Sequence, residues 1–277
     1  MLGSIIKSII KRQTIHASAS TIFAKPYKCA ILQTMYKRYG NKFMCFSPPV
    51  MLATFLLEFG FAFYVLWRYK LTQISRLVVI MLSLLGIFQL TEYMICGGLG
   101  LGHIEWARLG YVSITLMPAV GLHIVMAIAG KISKPLLYAA YATALTYVVY
   151  FATAGSAIMG HECTANYAIF KVSDLGSYVF ALYYYGWLFV AMGLAAYWAR
   201  RKPKHAAALR WMTIGYASFI IPTTFANIID PSTIAGIPSI MCGFAALLAV
   251  ILTFKVLPLA KVPVVRSLAI HTKQRQV

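Results

Sequence analysis

Two carboxylates, Glu58 and Glu92, stand inside long apolar runs of this chain. In a helix Gln89, Tyr93 and Cys96 share the face of Glu92, because successive residues turn by about 100°. A carboxylate in hydrocarbon costs on the order of 3 kcal/mol or more at the midplane, so each must face a partner, a water-filled cavity or another helix. Either could serve as a proton relay, a ligand contact or a general base. The alternative for both is a structural hydrogen bond between helices.

Four cysteines map to the same half of the predicted bundle. They are Cys45, Cys96, Cys163 and Cys242. In an oxidising compartment they could form Cys96–Cys163 and Cys45–Cys242 disulfides. With His161, Glu162 and His103 nearby they could instead bind a soft metal, although no Cys-x-x-Cys pair favours this. Cysteine is also an ordinary small residue at helix interfaces, so all three interpretations remain open.

A histidine and two prolines also interrupt the apolar runs. His123 follows Pro118 by five residues and shares a helical face with Thr115. A proline within a membrane helix frees a carbonyl group and often marks a kink beside a cavity, and Pro222 repeats this feature. His123 is therefore either a ligand or proton site or a hydrogen-bonded packing histidine.

Composition indicates an all-α polytopic membrane protein, a bundle of seven transmembrane helices. The chain is 61% hydrophobic and 11% charged, whereas soluble domains carry about 25% charged residues. Its apolar runs of about 20 residues can each cross ~30 Å of hydrocarbon. The formal net charge of +19 would suggest nucleic acid in a soluble protein. Here the basic residues lie between the predicted spans, so we expect the lipid bilayer as partner and no nucleic acid.

The predicted helices cover residues 50–67, 74–96, 107–129, 135–154, 174–199, 205–229 and 238–257. They form a transmembrane domain at 44–258, followed by a basic tail at 259–277. The basic segment 1–43 is either an organelle-targeting sequence or a poorly ordered extension before a natural start at Met44.

Loop charges predict the orientation. Counted together with the adjoining helix ends, the loops after helices 1, 3 and 5 and the C-terminal tail carry three, two, five and five lysines and arginines, whereas the other loops carry one, one and none. The positive-inside rule then places the start of helix 1 outside and the C-terminus in the cytoplasm. We expect a bacterial plasma membrane, or an organelle membrane if 1–43 is a transit peptide.

Three segments carry a family resemblance. They are Met44-Cys45-Phe46-Ser47, Phe88-Gln89-Leu90-Thr91-Glu92 and Ser239-Ile240-Met241-Cys242-Gly243-Phe244-Ala245-Ala246. The chain is similar over about 44–258 to an uncharacterised bacterial seven-helix membrane protein family that begins Met-Cys-Phe-Ser. That family has Gln-x-x-Glu in its second helix and Ser-x-x-Cys-x-Phe-Ala-Ala in its last. The resemblance implies Met44 as the start and carries over no activity.

A looser resemblance rests on the third predicted helix. Its residues are Ala107-Arg108-Leu109-Gly110-Tyr111, Leu116-Met117-Pro118-Ala119 and His123. The pattern resembles the seven-helix membrane sensor region of bacterial histidine kinases, which implies a ligand- or membrane-sensing bundle.

The sequence therefore predicts a non-enzymatic sensor or binding module for a small molecule, a lipid or a membrane partner. Its shallow, outward-facing polar pocket would comprise Gln89, Glu92, Tyr93, Cys96, Ser239 and Cys242, with His123 and Glu58 as further candidates. Ligand contact would shift helices hinged near Pro118 and Pro222. The alternatives are a proton-coupled transporter that uses the carboxylates and an intramembrane metal-dependent hydrolase. No cofactor is identified.

Overall fold

Seven long helices make up most of the structure, a computed structural model that describes residues 48–97, 102–155, 157–163, 168–172, 174–201 and 203–265. Each is long and apolar enough to cross a membrane. They are α1 (Pro48–Arg68), α2 (Gln73–Gly97), α3 (His103–Ala129), α4 (Lys134–Thr153), α5 (Asp174–Arg201), α6 (Ala206–Ile229) and α7 (Ile237–Ile251). A π-helical turn at Leu252–Val256 and a last α-turn at Leu257–Leu259 continue α7. The predicted helical bundle of seven such helices is confirmed.

The helix ends follow local chemistry. Prolines stand in the first turns of α1, α4 and α7, where a missing N–H costs no helical hydrogen bond. Gly130 ends α3 in the left-handed conformation, with φ of 62°, which suits glycine because it has no Cβ. Helix α3 begins at His103 rather than at 107 as predicted, since a polar first turn with Glu105 precedes the apolar run. An acid there complements the helix dipole.

Helix α3 lies at the centre of the bundle. In its most apolar stretch 78% of the residues are buried, against 17% in α4. It packs against α2, α4, α5 and α6, while α7 packs on α6, α1 and α2 and so closes the ring around it. The residues of α2 and α7 are also mostly buried, which makes these two helices, with α3, the core of the protein.

A β-hairpin that the sequence did not predict connects α4 and α5. Strands β1 (Ile158–Cys163) and β2 (Ala168–Val172) pair antiparallel. Alternate residues of β2 are buried, as expected for a strand with one face on a core. The ring of Phe170 lies 5.9 Å from that of Phe88 and 5.4 Å from that of Tyr111. The hairpin therefore covers the end of α2 and the start of α3, and we call this side of the bundle the hairpin end.

At the opposite end the chain that leaves α7 returns to the α1–α2 connection. The Lys70 amide donates to the carbonyl of Pro263 at 2.7 Å, and the Val265 amide donates to that of Arg68 at 2.9 Å. These backbone bonds fix the end of α7 beside α1 and α2, the two helices that carry the buried carboxylates.

Candidate functional site

Helices α1 and α2 run antiparallel and approach closely at Gly86. A Cβ atom at Gly86 would lie 2.4 Å from the ring of Phe59 and 3.7 Å from the Cβ of Glu58. One turn away, the Thr54 hydroxyl donates to Gln89 Oε1 at 3.1 Å. Because residues four apart share a helical face, these contacts turn the polar stripe of α1 towards that of α2.

The same geometry brings the two carboxylates together. Side chains in a helix tilt towards its N-terminus, so those of an antiparallel pair lean towards each other. Glu58 and Glu92 are about two turns apart in level, and this lean closes much of that gap. The two carboxyl groups interact electrostatically, and their side chains are 0% and 2% exposed. Both acids predicted from the sequence thus belong to one buried site.

Helix α7 adds a hydroxyl and a thiol to this site. The Ser239 hydroxyl donates to the carbonyl of Ala168 in β2 at 2.6 Å and also interacts with the Glu92 carboxyl. Cys242 lies one turn further along and is close enough to both carboxyls to interact with them electrostatically. We call this set the three-helix cluster. It comprises Thr54, Glu58, Gln89, Glu92, Ser239 and Cys242.

Four polar atoms of the three-helix cluster are buried without a hydrogen-bond partner among the residues that the structure describes. They are Glu58 Oε1, Glu58 Oε2, Gln89 Nε2 and Glu92 Oε1. Each such group costs about 1–3 kcal/mol, and native proteins therefore pair nearly all of them. Four buried, unpaired polar atoms in one cluster therefore indicate a binding site.

Among the described residues, the side chains predicted to line a shallow, outward-open pocket are buried instead. Glu58, Gln89, Glu92 and Ser239 are all at most 5% exposed, and the hairpin lies above the last three. A neighbouring cavity of about 20 Å³ is lined by Cys242, Tyr216 and Pro118 among others, but by neither carboxylate. It has room for about one water molecule.

Other residues that the sequence predicted for the pocket or for disulfides do not belong to the cluster, or lie outside the described residues. Tyr93 is partly exposed on α2. Cys96 is the last residue but one of α2 and Cys163 is the last of β1, but their side chains lie outside the described residues, as does all of Cys45. The Cys96–Cys163 bridge therefore stays a prediction. Cys242 is a free, buried thiol, so the structure does not contain the predicted bridge to Cys45.

His123 lies near the opposite end of the bundle, away from Glu92. Its Nε2 is 3.0 Å from Gln73 Nε2, and its Nδ1 is 3.1 Å from the Tyr141 hydroxyl oxygen. Since the Gln73 amide nitrogen can only donate, His123 accepts at Nε2 and donates its Nδ1 proton to Tyr141. The imidazole thereby links α2, α3 and α4 with both nitrogens paired.

The turn of α3 that precedes Pro118 has a hydrogen-bond partner on α5 that the sequence did not identify. Pro118 has no N–H, so the carbonyl of Ile114 loses its helical donor, and the proline ring crowds the preceding turn. In that turn the Tyr183 hydroxyl of α5 donates to the carbonyl of Thr115 at 2.7 Å. Tyr183 belongs to an aromatic run in α5 whose members look alike in sequence, and only the packing singles it out.

Two histidines meet at the hairpin end. The rings of His103 and His161 lie 4.6 Å apart, centroid to centroid. Partial burial, and then the neighbouring His103 and Lys171, lower the pKa of His161. Within the described part of the chain no three His, Cys, Asp or Glu residues come together to hold a metal ion, so a metal hydrolase site gains no support there.

The three-helix cluster can bind a cation or proton in a closed, mostly apolar environment.

Comparison with protein-family models, curated proteins and solved structures gives no match for this chain.

Proposed function

We propose that this chain is a seven-span integral membrane protein that binds a small solute at the three-helix cluster and acts as a non-enzymatic sensor or binding module. The observation that carries this proposal is the group of four unpartnered polar atoms on Glu58, Gln89 and Glu92. Ionisable residues within membrane helices are expensive and usually functional.

The hairpin end would face outwards. Arg68, Lys70, Lys131 and Lys134 stand at the opposite end, where no acid of the sequence falls, which by the positive-inside rule is cytoplasmic. Cysteine labelling in intact cells tests this. An impermeant maleimide should label Met159→Cys, on an exposed position of the hairpin, and should spare Ser133→Cys until the membrane is opened. The reverse pattern would refute the orientation.

Binding could alter the bundle through α7. Cys242 belongs to the cluster and also lines the water-sized cavity, together with Pro118 of α3 and Tyr216 of α6. The π-helical turn at Leu252–Val256 is a feature often found at functional sites. A solute that draws α1, α2 and α7 together would shift α7 against α3 and α6, because a bound ligand favours the arrangement that it binds best.

Reactivity of Cys242 tests whether the cluster can be reached. With Cys29, Cys45, Cys96 and Cys163 replaced by serine, Cys242 is the single thiol of the chain. We expect slow modification by methyl methanethiosulfonate in membranes, and a changed rate in the Glu92→Gln variant. A thiol that reacts only after denaturation would show that no route to the cluster opens, and the binding proposal would fail.

A proton-coupled carrier is the second candidate, since both carboxylates lie within predicted spans and influence each other electrostatically. Liposomes that contain the protein and an internal pH dye separate the two functions. A carrier gives proton flux that Glu92→Gln abolishes, whereas a sensor gives no more flux than liposomes without protein.

A further inference from the structure

We propose that the solute bound by the three-helix cluster is a monovalent metal cation, namely Na⁺, which enters as one proton leaves. This inference rests on the proposed binding function and names its ligand. It follows from the kinds of atoms that face one another in the cluster, from their charge and from the space around them.

Ser239 shows that an acceptor faces a carboxyl group. A hydroxyl has one proton, and that of Ser239 is donated to the Ala168 carbonyl at 2.6 Å. Only the lone pairs of Ser239 Oγ are left for the Glu92 carboxyl with which it interacts. Two acceptors stay in contact only if a proton or a metal ion lies between them.

The amide of Gln89 leads to the same conclusion. The single hydroxyl proton of Thr54 has three acceptors near it, namely Met51 O at 2.9 Å, Val50 O at 3.0 Å and Gln89 Oε1 at 3.1 Å. Turning the amide by 180° lets Gln89 Nε2 donate to Thr54 Oγ1, whose proton then goes to a backbone carbonyl. Such turned amides are nearly equal in shape. The amide oxygen then takes the buried, unpartnered position, so every unpartnered atom of the cluster is an oxygen.

The positive charge for these oxygens must come from the ligand. No lysine, arginine or histidine among the described residues contributes to the electrostatic environment of Glu58 or Glu92. A buried site in membrane is most stable when its net charge is zero. With two carboxyl groups, neutrality is met by two protons or by one proton and one Na⁺. Exchange of one proton for one Na⁺ therefore keeps the cluster neutral throughout.

The surroundings favour Na⁺ over divalent ions. Mg²⁺ usually keeps several of its waters, and Ca²⁺ takes six to eight oxygens. With the Gln89 amide turned, the cluster contains the two oxygens of Glu58, one of Glu92 and one each of Gln89 and Ser239, and the cavity of about 20 Å³ that Cys242 lines holds about one water. These are enough ligands for a small monovalent ion that has lost most of its water.

Carbodiimide modification tests the exchange directly. Dicyclohexylcarbodiimide enters membranes and attacks protonated carboxyl groups, and mass spectrometry identifies the modified glutamates. Full-length protein in lipid nanodiscs is treated in NaCl or in choline chloride at equal ionic strength. We expect modification of Glu58 and Glu92 to slow about tenfold when Na⁺ stands at ten times its Kd, since the free fraction falls as 1/(1 + [Na⁺]/Kd).

Two variants complete the test. Glu105→Gln alters an exposed carboxyl at the hairpin end and should leave Na⁺ protection unchanged. Ser239→Ala removes one proposed ligand and should raise the Na⁺ concentration needed for half protection. Protection by CaCl₂ but not by NaCl would overturn the assignment to a monovalent ion.

Failure of this inference can be told from failure of the proposed function. If carbodiimide modifies the cluster equally in NaCl and choline chloride while Cys242 remains accessible, the cation is refuted and a binding site for another solute stands. If the carboxyls and Cys242 are all unreactive, both proposals fall together.

Discussion

Two polar sites between the helices of this bundle differ in one decisive respect. Around His123 both imidazole nitrogens have partners, on Gln73 and Tyr141. In the three-helix cluster, neither carboxyl oxygen of Glu58 has a hydrogen-bond partner within the described part of the chain. The contrast teaches that a polar side chain inside a helical bundle does not by itself indicate function. An unmet hydrogen bond is the better indicator, because a purely structural site would have paired or lost the costly group.

The largest effect should come from removing the unpartnered acid. Glu58→Leu eliminates two buried, unpaired oxygens and keeps a similar volume, so we expect the free energy of unfolding to rise by about 1–3 kcal/mol. Na⁺ protection of Glu92 should be lost. Thermal unfolding in detergent measures the first, and carbodiimide mapping measures the second. A destabilised Glu58→Leu protein would show that Glu58 does have a structural partner.

Removing a hydrogen bond that is already formed should lower the stability instead, and Tyr183 offers such a case. Tyr183→Phe removes a buried hydrogen bond between α5 and the Thr115 carbonyl of α3, at a cost of about 1.5 kcal/mol. Tyr178→Phe is the matched control, since Tyr178 is 78% exposed on the same helix, and it should change little. Equal stability of the two variants would show that the Tyr183 hydrogen bond does not stabilise the protein.

A smaller loss is expected at His123. His123→Leu breaks two hydrogen bonds at a partly exposed position, and we expect about 1 kcal/mol of destabilisation. Carbodiimide reactivity of Glu58 and its Na⁺ dependence should stay as in the wild type. If this variant altered Na⁺ protection, the two regions would be coupled and the comparison between them would fail.

The sequence predicted the helices well because an apolar run of about 20 residues admits few other structures. Helical periodicity also placed Gln89 and Glu92 on one face. Periodicity does not tell which helix a face meets, so it could not show that Glu58 and Glu92 converge or that Ser239 joins them. That outcome depends on the close approach at Gly86 and on the position of α7 beside α1 and α2.

The hairpin is an element whose signal is present in the sequence but too weak to predict it. Alternation in Ala168–Val172 is typical of a strand, yet strands this short give a weak signal beside long apolar helices. Because the hairpin was not predicted, the sequence suggested a shallow pocket that opens outwards. With it, Ala168 supplies the carbonyl that takes the Ser239 proton, and the site is closed.

The smallest effect concerns the hairpin at low pH. Burial, His103 and Lys171 lower the pKa of His161 in the folded protein, so the open hairpin binds a proton more readily than the closed one. Stability of the hairpin should therefore fall as the pH drops below the ordinary histidine value of about 6.5. Hydrogen exchange of the β1 and β2 amides, corrected for the intrinsic pH dependence, should show more opening at pH 5.5 than at pH 7.5. His161→Gln should flatten this difference, and an unchanged difference would place its cause elsewhere.

Equilibrium binding of radioactive ²²Na⁺ to the purified protein is the direct test of a cation site in the three-helix cluster. We expect saturable binding of one ion per chain that weakens as the pH falls, and loss of this binding in Glu58→Leu even though that variant is more stable. Absence of saturable binding in the wild type, or equal binding in Glu58→Leu, would contradict the claim that the unpartnered oxygens of the three-helix cluster hold a cation.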